Sequence, residues 1–179
     1  TTGTQNTLVG AGSGDALTTG TNNVAIGYNA LGAENTGSGN VAIGSHALED
    51  LDFNGSGHNT AVGHAAGRNI ITGVENTIMG GQAGDALTTG SYNIAIGHQA
   101  LTTEDVGSKS TAVGYNALAA QNVDGDVLNT AVGYFAGKSI TTGNVNTLVG
   151  GLSGQNLTEG NSNVAIGYNT LATETLGDR

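Results

Sequence analysis

The 179-residue chain contains no cysteine, no proline and no tryptophan, and only two phenylalanines. Without cysteine there are no disulfides and no thiolate metal sites, so nothing in the chain ties its stability to a redox compartment. Proline would interrupt a continuous hydrogen-bonded ladder, and its absence is what a sheet running the length of a molecule requires. Basic residues are also scarce: four Lys and Arg stand against fourteen Asp and Glu, a formal charge of −10. No cluster could neutralise phosphates, which excludes nucleic-acid binding, and an anionic membrane surface would repel the chain. No apolar run is long enough to span a bilayer, and no signal-peptide pattern opens the sequence. If the protein is exported, its signal is expected outside this segment.

What is present is glycine, 32 residues of it, with small aliphatic side chains supplying most of a 37% apolar content. Charged residues make up only 10%, so the composition is not that of a disordered chain, and the core it can build is thin.

The glycines are periodic. A motif N-[TVI]-[ALI]-[VIM]-G-x-x-[AST]-[LG] occurs ten times, with its glycine at 10, 27, 44, 63, 80, 97, 114, 133, 150 and 167. The spacing is 17 residues except for two steps of 19, and a second period of 70 residues groups four copies into one super-repeat. The chain reads as a single array, 1–179, with super-repeats 1–70, 71–140 and 141–179. We number positions from the Asn, which is Ser110 in one copy. Positions two to four alternate as a strand does. Position four is always apolar, from Val9 to Ile166, and is expected to face the core, leaving position three for contact between rods. Position eight is always Ala, Ser or Thr, implying close approach of a neighbouring backbone. Where position nine is Gly (Gly14, Gly67, Gly84, Gly137, Gly154), Leu or Ile follows three residues later; where it is Leu, the later position is mostly polar. Each coil thus supplies a large plug from one of two places.

A 17-residue period is too short for helical hairpins and suits a solenoid coil of two short strands and two turns, stacked about 4.8 Å apart. Ten coils make a rod on the order of 50 Å long. The recurrent Asn is expected either to form an amide ladder along the stack or to cap a turn. About four modest apolar side chains per coil are little to offset the ordering of 17 residues, so rods are expected to associate. Neither end departs from the pattern as a cap would, so the array is expected to belong to a longer fibre.

The copies Asn23-Val-Ala-Ile-Gly-Tyr-Asn-Ala-Leu31 and Asn163-Val-Ala-Ile-Gly-Tyr-Asn-Thr-Leu171 resemble the repeats of YadA-like heads in trimeric autotransporter adhesins, and the N-T-A-V-G-Y variant resembles repeats of phage tail fibres. The resemblance covers essentially the whole chain. It implies an all-β, left-handed parallel β-roll or β-solenoid, assembled as a homotrimer and presented outside the cell, on a cell surface or on a virion. The coils are longer than those of the adhesin family, which favours a tail fibre or another surface fibre over an adhesin head.

Little in the sequence points to chemistry. Tyr28, His64, His98, Tyr115, Tyr134 and Tyr168 all follow the motif glycine and form a candidate surface row for a host glycan or receptor. The acidic residues, including Glu34 and Glu104, fall in the links and are expected to form a solvated edge. Calcium at Asp50 and Asp52, or at Asp124 and Asp126, is the one cation reading they allow, but the spacing matches no EF-hand and no cofactor is assigned. No set of nucleophile, base and orienting group can be named, so the chain is not expected to be an enzyme. A structural or adhesive fibre is the leading expectation. A glycan- or receptor-binding head and a single-chain ice-binding solenoid are the alternatives, the last opposed by the lack of a continuous Thr face.

Overall fold

The computed structural model describes residues 2–177. These form one parallel sheet of ten three-residue strands: β1 (Thr7–Val9), β2 (Val24–Ile26), β3 (Val41–Ile43), β4 (Thr60–Val62), β5 (Thr77–Met79), β6 (Ile94–Ile96), β7 (Thr111–Val113), β8 (Thr130–Val132), β9 (Thr147–Val149) and β10 (Val164–Ile166). The strands lie in chain order, each paired with the next in the register of the repeat, Thr7 opposite Val24 and Val24 opposite Val41. Among the described residues there is no helix. The chain is a β-solenoid, one motif per coil, and the 19-residue steps are absorbed in the links without shifting the strands.

Each coil carries one regular strand, not the two expected. Among the described residues outside the ten strands, parallel pairing is limited to the single bridges Ser38 with Ser56 and Ser108 with Asp126. The cause is local. Around the sixth motif Tyr92, Gln99 and Leu101 have φ of 62°, 55° and 54°, and the same three places are left-handed in all ten copies. Chain that reverses hand so often cannot stay extended, and it closes the coil through turns.

The sidedness of the strand is also the reverse of the expected one. Position three faces inward: Ala25, Ala42, Ala61, Ile78, Ala95, Ala112, Ala131 and Leu148 are fully buried. Position four faces out, with Val9 55% and Met79 45% exposed. The interior has no room for a larger residue at position three in most coils because the plugs fill it. Leu31, Leu48, Leu101 and Leu118 enter from position nine, and Ile70, Leu87, Ile140 and Leu157 from position twelve, all fully buried. Position nine is left-handed in every coil, which explains why it tolerates Gly. The pairing of Gly-type coils follows from packing. A Cβ on Gly137 would lie 2.9 Å from both Leu118 of the coil before and Leu148 of the coil after. Two consecutive Gly coils thus admit a Leu from one side and a large position-three residue from the other.

The motif asparagines do both things considered for them. Asn76 Nδ2 donates to the Gly90 carbonyl at 2.9 Å, closing its own coil, and to Asn59 Oδ1 at 3.1 Å. Its Oδ1 accepts the backbone N–H of Asn93 in the next coil at 2.9 Å. Where Ser110 replaces Asn, Gln121 fills the gap: its Nε2 donates to Ser110 Oγ at 2.9 Å and its Oε1 accepts from Asn129 Nδ2 at 2.9 Å. Changing Asn76 to Leu keeps the branched shape of the side chain but leaves the Gly90 carbonyl and the Asn93 N–H without partners in the interior. At about 1–3 kcal/mol for each of the two stranded groups, the expected loss is about 2–6 kcal/mol. Urea unfolding of the folded array would read it, and a loss under about 1 kcal/mol would deny the ladder its structural weight.

Candidate binding surface

The outward columns at positions two and four run side by side over all ten strands. They form a flat strip of Thr, Val, Ile and Met in which Ile26, Met79, Ile94, Val132, Val164 and Ile166 are markedly exposed. Position three, the contact expected from sequence, faces the interior and does not contribute to this strip.

The six predicted row residues are all exposed and stand two residues beyond this strip, across the motif glycine. They do not form one row. Gly81 and Gly151 occupy the same place in the fifth and ninth coils and divide it. In the second super-repeat His98, Tyr115 and Tyr134 stack with centroids 5.5 and 5.4 Å apart and interplanar angles of 10° and 17°. Phe135 packs against both tyrosines, at 5.4 Å from Tyr115 and 4.2 Å from Tyr134, and carries Lys138 Nζ 4.5 Å above its ring. In the first super-repeat Tyr28 and His64 are not neighbours; His46 stands between them, edge-on to each at 5.3 and 6.2 Å. Tyr168 stands apart, 77% exposed. Phe135 and His46 were missed in the sequence because each lies one residue past the ring column, at a left-handed position. Rings stacked on one another offer edges and hydroxyls outward, whereas stacking on a sugar needs an open face. The trio therefore stabilises coil on coil, and open faces remain at its ends and at Tyr168.

Two link carboxylates are not a solvated edge. Glu34 and Glu104 are fully buried at position twelve, where six other coils carry Leu or Ile. Glu34 Oε1 accepts the N–H of Gly37 at 2.6 Å and of Thr36 at 3.2 Å, and Oε2 faces the N–H of Phe53 at 3.5 Å. Glu104 accepts from Gly107 at 2.8 Å and from Gln121 Nε2 at 2.8 Å. Both lie directly before a 19-residue step. The longer link bulges away, and the carboxylate takes the place of a carbonyl that the next coil would otherwise present.

Burial pushes the Glu34 carboxyl above its ordinary value of 4.5, against the pull of the Gly37, Phe53 and Thr36 amides, and Asp52 adds to the rise. A raised value means that the folded state holds the proton more tightly than the unfolded chain. The resulting stability is present below about pH 4.5 and lost as pH climbs through the raised value. Glu34→Gln removes this dependence, so the stability difference between variant and parent should move in the variant's favour across that window. Urea midpoints from acid to neutral pH would show it, and parallel curves would rule it out.

The remaining acidic residues are dispersed. Lys109 Nζ pairs with Asp126 at 2.6 Å, and His46 Nδ1 meets Glu49 at 2.8 Å. Among the described residues no group of three or more His, Asp or Glu converges as a metal site would. A shallow recess of about 380 Å³ lies beside β1 between Leu8 and Leu17. Another, about 270 Å³, is lined by Asp15, Asn29, Glu49 and Asp50. No protein-family model, curated protein or solved structure matches the chain.

Proposed function

We propose that this array is a structural fibre segment that works as an assembly of identical rods, with the outward strip of positions two and four as the face that joins them. The observation that carries the reading is the strip itself, a continuous uncharged band of Val, Ile, Met and Thr on a chain of charge −10 whose acidic residues lie off it. A thin core packed largely with Ala and single Leu or Ile plugs gains a second buried layer by association. The motif resemblance to trimeric adhesin heads and tail fibres makes three chains the expected number, with the fibre displayed outside a cell or on a virion. Light scattering combined with small-angle scattering tests this directly. An elongated particle of three times 17.6 kDa supports it, and a stable monomer at micromolar concentration overturns it.

A second reading, attachment to a glycan or receptor, draws on Tyr168 and on the exposed ends of the ring stack. The rings border the association face, so a ligand there would contact the margin of the assembly and not a separate groove.

A further inference from the structure

We propose that the long link of the third coil is a self-modification site, in which Asn54 deamidates through a cyclic imide with the Thr36 hydroxyl of the preceding coil assisting. Asn54-Gly55 is the single Asn-Gly pair in the chain. Both residues are exposed, whereas the ladder asparagines from Asn23 onward are buried, and all of them precede Thr, Val or Ile, whose branched side chains shield the following amide. Gly55 carries no such shield. The Phe53 ring lies where its Cβ would be, with Cε1 2.9 Å from that point, so the link is built around a glycine here. Thr36 Oγ1 donates to Asn54 Oδ1 at 3.2 Å across the coils.

The chemistry balances with water alone. The Gly55 nitrogen, leaving its hydrogen bond to the Phe53 carbonyl (2.9 Å), attacks Asn54 Cγ and gives up its proton to solvent. The carbonyl electron pair moves onto Oδ1, where the Thr36 hydroxyl stabilises the developing charge. Collapse breaks the Cγ–Nδ2 bond and expels ammonia. Water then opens the imide at either carbonyl, yielding aspartate or isoaspartate. The 70-residue period supplies an internal comparison: the equivalent pair is Asp124-Gly125, and Val106 stands where Thr36 does. Deamidation thus adds to the first long link the charge that the second already carries.

The test is peptide mass mapping of the intact folded chain, incubated at neutral and mildly alkaline pH, with aspartate and isoaspartate separated. Asn54 is expected to convert, faster at the higher pH, while the exposed Asn22 and Asn122 persist over the same period. Thr36→Val, which copies the natural residue of the second unit, should slow conversion severalfold in the folded chain and leave the rate in denaturant unchanged. Conversion of Asn54 no faster than that of Asn22 or Asn122 overturns the site. An unchanged folded rate in Thr36→Val overturns the assistance.

Discussion

Replacing Gly97 by Ala should cost on the order of 3 kcal/mol or more, as should the same change at the other glycines of its column that face a following coil. Gly97 has φ of +131°, which L side chains rarely adopt, and a Cβ there would sit 2.3 Å from the Gly114 carbonyl oxygen and 2.6 Å from its carbon. Both are backbone atoms of the next coil, so relief requires spreading the stack where Gly114 N–H donates to Ile96 O at 2.7 Å. Gly125 is the control. It too has positive φ, +83°, but nothing lies within 4 Å of its missing Cβ. Gly125→Ala should therefore cost only the backbone strain, about 1 kcal/mol. Equal unfolding midpoints for the two variants would mean that backbone contact between coils does not govern the glycine column.

Charging the outward strip should dissolve the assembly without unfolding the rod. Ile94 and Ile96 both point out of β6, and the double change to Glu removes about 1.5–3 kcal/mol of burial per side chain from an interface and places like charges against their symmetry mates. Association should weaken by more than about a hundredfold, shifting the mass in solution toward 17.6 kDa while the strand signal in circular dichroism is retained. Thr89→Glu, on an exposed link, adds one charge away from the strip and should leave the mass unchanged. An oligomer that survives the Ile94 and Ile96 changes would move the association face elsewhere.

The architecture was legible because it is written as repetition. Ten glycines at 17- or 19-residue steps specify a coil, and the exchange of Gly67 with Ile70 for Leu48 announces a core that must be filled once per coil. The asparagine column was legible as a hydrogen-bonding device, though not that one amide would both close its coil and accept from the next. The ring column was legible as exposed, but its division into a stacked trio, an edge-on group containing His46 and a lone Tyr168 depends on how each ring leans on its neighbour.

Composition, periodicity and the places of glycine were sufficient for a stacked, proline-free sheet with a thin aliphatic interior, since each is a local requirement repeated ten times. Three matters were left to the tertiary structure. An alternating strand has two faces that differ in sequence only by residue size, and Val and Ile appeared to belong inside. The left-handed turns instead aim position three inward, where the plugs leave room mostly for Ala. Glu34 and Glu104 lie in links that read as solvent edge, yet a bulge in the following coil removes a carbonyl and draws each carboxylate inside to replace it. Gln121 lies outside the motif, and only the stacked coils bring its amide to the ladder at Ser110. Each depends on what the neighbouring coil presents, and that is settled only when coils stack.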